Sequence, residues 1–92
     1  MEGMKKVSQT TQFARDIKRM RKRGKDLTKL QAIVRQLAVG APLDLKLRDH
    51  CLVGQWQPSR DCHVEPDWIL IYTVADESLR LERTGTHADL FR

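Results

Sequence analysis

All three histidines of this 92-residue chain, His50, His63 and His87, lie in its second half. Each has a carboxylate close in sequence: Asp49, then Asp61 and Glu65, then Asp89. In RDCHVEPDWILIY, residues 60–72, Asp61, His63 and Glu65 alternate with Cys62 and Val64. In an extended strand such alternation places the three polar groups on one face. Asp67 follows immediately. Three chemistries need a set of this kind. The first is phosphodiester cleavage in RNA, where the 2′-OH loses a proton and the leaving 5′-oxygen gains one. Histidine titrates near neutral pH and can serve either step. A carboxylate can orient an imidazole or act as base, and Arg or a protonated His can stabilise the crowded phosphorane. The second is a metal site with ligands from Asp61, His63, Asp67 and His87, although no HxxxH or HExxH spacing is present. The third is Ser/His/Asp catalysis. It lacks a GxSxG turn, and Ser8, Ser59 and Ser78 have no evident partner. By spacing alone, a solvated strand face accounts for the stretch at least as well as a catalytic wall.

These residues need elements to hold them. SQTTQFARDIKRMRKRG, residues 8–24, reads as a helix. Ser8 to Thr11 offer N-cap side chains, Phe13, Ile17 and Met20 form one apolar stripe, and Gly24 suits the C-terminus. DLTKLQAIVRQLAVGAP, residues 26–42, reads as a second helix capped by Asp26. Its apolar face is Leu30, Ile33, Val34 and Leu37, and Gly40 and Pro42 stop it. The short connection predicts an antiparallel hairpin. The period then changes. GQWQ, RDCHVE, DWILIYTV and SLRLERT are short β-rich segments separated by turn residues, and connections this short require antiparallel neighbours. The run WILIY is apolar on both faces, so both must be at least partly covered, one by the helices. Met4 to Val7 could add an N-terminal strand. The expected architecture is one α+β domain over residues 1–92, a two-helix hairpin packed on a small, mainly antiparallel sheet. His50 precedes the meander and His87 follows it, so both can reach the rim of the sheet. Trp56 and Trp68 read as packing residues. Phe91 either docks into the core or stays exposed to stack on a base.

Charge is unevenly distributed. The first 40 residues contain 11 Lys/Arg and 3 Asp/Glu, and the rest contain 6 and 9. A basic half suits a polyanion, nucleic acid above all, while the acidic half could hold the chemistry. No apolar run approaches the length of a membrane span, and MEGMKKVSQTTQF lacks the apolar core of a secretory signal. A cytoplasmic protein is expected, with no membrane partner. Cys51 and Cys62 match neither a disulfide framework nor a zinc pattern and read as reduced, small packing residues.

DHCLVGQWQPSRDCHVEPDWILIY, residues 49–72, and LRLERTGTHADLF, residues 79–91, resemble the YafQ branch of the RelE/ParE toxin superfamily. The matching pattern is DHxLxGxW, RDxHVxPDWILIY and RTGTHAxLF. The resemblance implies a RelE-like fold and the toxin half of a type II toxin–antitoxin system, neutralised by a cognate antitoxin. It implies a ribosome-dependent endoribonuclease that cuts mRNA in the A site by 2′-OH attack, with no metal and no small-molecule cofactor. By matching motif positions, the catalytic set is His50, His63, Asp67, His87 and Phe91, supported by Asp61, Trp68, Arg83 and Arg60. Under this reading His50 and His63 abstract a proton or position the 2′-OH, and Asp67 orients an imidazole or acts as base. His87 protonates the leaving group, and Phe91 stacks on a base. Arg83 or Arg60 would stabilise the phosphorane. Asp61 and His63 would line the cleft, while Glu65 would only turn the chain. Lys18, Arg19, Arg21, Lys22, Arg23 and Lys25 would grip ribosomal RNA, and an acidic antitoxin segment could cover the same surface. A gyrase-inhibiting ParE-like toxin and a metal-dependent nuclease remain the alternatives.

Overall fold

The structure, a computed structural model, describes residues 4–91. Strand β1 (Lys6–Gln9) leads into helices α1 (Thr11–Lys22) and α2 (Leu27–Ala38). A short 3-10 turn at Leu45–Leu47 precedes β2 (His50–Cys51), and a second at Gly54–Trp56 follows it. The meander β3 (Arg60–Glu65), β4 (Trp68–Val74) and β5 (Ser78–Gly85) ends in a one-turn helix, α3 (His87–Phe91). The sheet order is β1-β5-β4-β3-β2, with β1 parallel to β5 and every other pair antiparallel.

Local chemistry explains the helix boundaries. Thr10 caps α1 by accepting the Phe13 N–H at 2.9 Å, and Asp26 caps α2 through the Thr28 N–H at 3.0 Å. Both helices end in the same reciprocal pair of bonds. Lys25 N–H reaches the Met20 carbonyl and Gly24 N–H the Arg21 carbonyl, with Ala41 to Gln36 and Gly40 to Leu37 repeating the pattern. This geometry needs a left-handed residue, which Gly24 (φ 82°) and Gly40 (φ 77°) provide.

The two faces of the sheet have different covers. Trp68, Leu70, Tyr72, Leu79, Leu81 and Cys62 form the main core with Phe13 and Met20 of α1 and Leu30, Ile33 and Leu37 of α2. Ile69 and Ile71 point the other way and meet Leu90 of α3, with Leu52 and Trp56 alongside. The doubly apolar WILIY run is therefore buried on both faces, as its composition requires.

Some local expectations are corrected. GQWQ is not a strand. Its residues form a 3-10 turn, and the first strand of the meander is His50–Cys51. The N-terminal strand is Lys6–Gln9 rather than Met4–Val7, because Ser8 and Gln9 continue the pairing with β5 and leave Thr10 as the cap. Cys62 is a buried packing residue, and burial pushes its thiol up to about 12. Cys51 is not a packing residue. It is exposed, with an Arg60 guanidinium nitrogen 2.7 Å from its sulfur.

Candidate active site

Sheet register places the chemistry on the face opposite α1 and α2. One row across the sheet runs His50, Asp61, Ile71 and Arg83, each directly opposite the next. The adjacent row is His63, Ile69 and Gly85. Two isoleucines thus form an apolar floor between the polar side chains. Gly85 then leads through Thr86 into α3, which carries His87 and Phe91 over this floor.

Three imidazoles result, each with one nitrogen engaged by an acceptor. His50 Nδ1 lies 2.8 Å from the Arg48 carbonyl and 3.1 Å from Asp61 Oδ1. His63 Nδ1 lies 3.3 Å from the Pro66 carbonyl. His87 donates its backbone N–H (3.0 Å) to Asp67 Oδ1, and its ring Nδ1 lies 2.7 Å from the same oxygen. When Nδ1 carries the proton for these bonds, each Nε2 is left as the unprotonated ring nitrogen of the neutral imidazole. The His63 and His87 ring centres are 5.6 Å apart, and the Phe91 ring lies 6.2 Å beyond His87. Phe91 is 39% exposed and packs edge-on against Trp56 at 5.9 Å. The open choice for Phe91 resolves to an aromatic that is braced on one side and open on the other.

The two cleft carboxylates have opposite surroundings. Asp67 is exposed, and the His87 backbone N–H, with its ring next, holds its carboxyl below the usual range. Asp61 is 4% exposed, and its Oδ1 makes no hydrogen bond of good geometry. Burial raises its pKa, with His50 and His63 offsetting part of the rise.

The supporting residues divide. Arg83 stands in the cleft row, yet its Nε and Nη2 donate to Asp16 at 2.7 and 3.2 Å. Arg60 is one residue out of phase with Asp61 and His63, so it lies on the helix-covered face and binds Asp49 at 3.2 Å. It does not join the cleft, and a role for it at the phosphorane has no geometric basis. Trp68 is fully buried on the same helix-covered face, donating its indole N–H to Thr84 Oγ1 at 2.9 Å. It steadies the central strand and presents no ring to the cleft. Glu65 ties β3 to the α1–α2 connection through Lys25 and to α2 through Lys29, both at 2.8 Å.

The basic set is similarly split. Lys18, Arg21 and Lys22 are exposed and form no ion pair among the described residues. Lys25 is engaged by Glu65, Arg23 by Asp89, and Arg19 lies within 4 Å of both Asp16 and Asp89.

Sequence reasoning missed Asp16, and it set Asp49 and Asp89 beside their neighbouring histidines, whereas the structure gives them other partners. Asp16 is fully buried and accepts the Thr84 N–H as well as Arg83, closing the edge of β5 where β1 has ended. Its signal was visible: an acid within the Phe13–Ile17–Met20 stripe calls for a buried partner. Asp49 joins Arg60 and Tyr72. Asp89 holds α3, and Thr86 followed three residues later by an acid is the pattern of a reciprocal helix cap. Among the described residues, no group of three or more His, Cys, Asp or Glu is arranged to hold a metal ion.

Comparison with known proteins adds an independent line. Residues 5–92 match the family described as "Bacterial toxin of type II toxin-antitoxin system, YafQ". An Escherichia coli K12 relative, "mRNA interferase toxin YafQ", is 48% identical over 86 residues, covering 92% of this chain and 94% of the relative. A Haemophilus influenzae relative, "Putative toxin YafQ", is 35% identical over 94 residues, covering 90% and 88%. Among solved structures, the E. coli DinJ–YafQ complex contains a chain with TM-score 0.90 and 46% identity. The match covers 96% of this chain and 99% of that one.

Proposed function

The chain belongs to the YafQ family of bacterial type II toxin–antitoxin toxins, and from that premise we propose that it is an endoribonuclease that cuts mRNA on the ribosome by metal-free acid–base catalysis. The observation that carries the reading is the convergence of His87, held by Asp67 at 2.7 Å, with the His63 ring 5.6 Å away.

The chemistry follows from what each group can donate or accept. The attacking 2′-OH must lose a proton. His50 and His63, on adjacent rows of one face, are the bases within reach of a strand lying along the floor. The leaving 5′-oxygen must gain a proton, and His87 supplies it from Nε2. Its Nδ1–H stays on Asp67, which holds the ring in place for the transfer. The products are a 2′,3′-cyclic phosphate and a 5′-OH. Phosphorane charge is met by imidazolium groups, because Arg83 is already neutralised by Asp16. Phe91 stacks on a base and fixes the sugar-phosphate in line for attack.

An antitoxin is the natural partner, as in the complex of the E. coli relative. Ribosomal RNA is gripped by the exposed cations Lys18, Arg21 and Lys22, with an affinity that salt weakens. No helix among the described residues is long and apolar enough to cross a membrane, and we place the protein in the cytoplasm, where ribosomes are.

The test is end mapping of mRNA on translating ribosomes. Cuts confined to A-site codons are expected, with EDTA having no effect. His63→Ala and His87→Ala should each slow cleavage by about 10²–10⁴-fold. Cleavage that is unchanged in both variants, or lost to EDTA and restored by metal, overturns the mechanism.

A further inference from the structure

We propose that Asp89 is a positioning residue of the cleavage reaction, setting α3 and thereby His87 and Phe91 through a latch onto Arg23, the C-cap of α1. The proposal rests on the nuclease reading above and extends it to a residue outside the cleft.

A five-residue helix cannot hold its own shape in water, because nucleation is unfavourable and few bonds follow it. Something must hold α3, and Asp89 does so from three directions. Its Oδ2 accepts the Thr86 N–H at 2.9 Å, while its own N–H donates to Thr86 Oγ1 at 3.1 Å. This is a reciprocal cap. Its two oxygens accept Arg23 Nη1 and Nη2 at 2.7 and 3.2 Å. Such a bidentate pair fixes direction as well as distance. Arg19 adds a second cation 3.6 Å away.

The backbone makes room for this contact. A Cβ on Gly85 would lie 2.9 Å from Asp89 Oδ2, so only glycine admits the carboxylate here. The side chain is 13% exposed, and Arg23 holds its carboxyl far below the usual carboxylate range. The competing anchor is weaker. Asp67 and His87 are both more than half exposed, and a pair so exposed holds little by itself. The α3 backbone is therefore located by Asp89, and Asp67 then orients the ring of His87.

The latch changes the meaning of Arg23. As a ribosome-gripping residue, its loss would raise KM. As the anchor of α3, its loss lowers kcat, since displacing a catalytic group by about 1 Å can slow a reaction by about 10²-fold.

The experiment compares the parent, Asp89→Asn, Arg23→Gln and the double variant on programmed ribosomes. Asp89→Asn keeps the size and an acceptor for Thr86 but loses the charge. The expected result is a fall in kcat of about 10–10²-fold for each single variant with KM nearly unchanged, and a double variant no worse than the singles. NMR of the parent and variants without ribosomes gives a readout independent of cleavage. The His87 side chain and α3 amides should broaden or shift in the variants, while β4 amides stay put. If Asp89→Asn does not fold, Arg23→Gln tests the same link from α1. Parent-like kcat in folded variants, or a rise in KM alone, overturns the proposal. A parent that fails to cut overturns the nuclease reading instead, and the NMR comparison then decides whether the latch exists.

Discussion

Asp67 Oδ1 bonds the backbone and the ring of His87 at once, joining the β3–β4 turn to the first residue of α3 across 20 positions of sequence. One oxygen thus meets the start of α3, which Asp89 locates, and sets which way the imidazole faces. Replacing Asp67 with Ala should slow cleavage by about 10–10²-fold, the usual cost of losing the group that orients an active imidazole. The pH dependence has a definite sign. Because the native Asp67 pKa is lowered, the link is complete above the unfolded value of about 3.9 and is lost as pH falls through the lower native value. The His87 Nδ1 proton should therefore be visible by NMR at pH 4.5 in the parent and absent in Asp67→Ala.

Asp61 presents the opposite case. Its native pKa is raised chiefly by burial, so folding favours its protonated form. Its contribution to stability is fully present below the unfolded value of about 3.9 and is lost as pH rises through the native value. At neutral pH the ionised side chain opposes folding. Asp61→Asn should leave Tm unchanged or raise it at pH 7.5, with the difference shrinking toward pH 4. Cleavage should fall, because His50 loses the anion beneath it. A variant that melts well below the parent at pH 7.5 would mean that Asp61 serves the fold rather than the site.

Asp16 serves the fold and, through Arg83, the edge of the cleft. It is fully buried and satisfies both the Arg83 guanidinium and the Thr84 N–H. Asp16→Ala leaves a partly buried cation and a buried donor without partners. Breaking one side of such a pair costs about 3–5 kcal/mol. For a domain of this size each kcal/mol lowers Tm by about 4–8 °C, so a loss of well over 10 °C is expected in thermal melts. A shift of only a few degrees would show that water replaces the carboxylate easily.

The long elements were legible in the sequence because pattern and burial agree there. The stripes of α1 and α2 and the alternation of β3 and β5 predict their own faces, and WILIY requires cover on both. What escaped was short or non-local. The helix α3 has too few residues to show a period, and GQWQ has strand-like composition but Gly54 adopts φ 69° in a 3-10 turn. The split of the basic set was also invisible, because Asp89 comes into range of Arg19 and Arg23 only when α1 lies along the end of β5. The histidines and Asp67 were found by motif. Their grouping on one face depends on register, which places His50 opposite Asp61 and starts α3 directly after the row of His63.

Phe91 provides a test of how the substrate is held. Its ring is supported edge-on by Trp56 and exposes the rest of its surface beside His87. Stacking of a base on such a ring contributes about 1–3 kcal/mol. If the stack holds substrate and transition state alike, Phe91→Ala should raise KM by about 5–160-fold, and Phe91→Tyr should retain most activity. If the stack acts mainly to align the 2′-OH, the loss should fall on kcat instead. Trp56→Leu separates bracing from contact. It removes the edge support but no part of the stacking face, so its defect should be smaller than that of Phe91→Ala and of the same kind. A Phe91→Ala variant with parent kcat and KM on ribosomes would show that the ring only closes the apolar floor over Ile69 and Ile71.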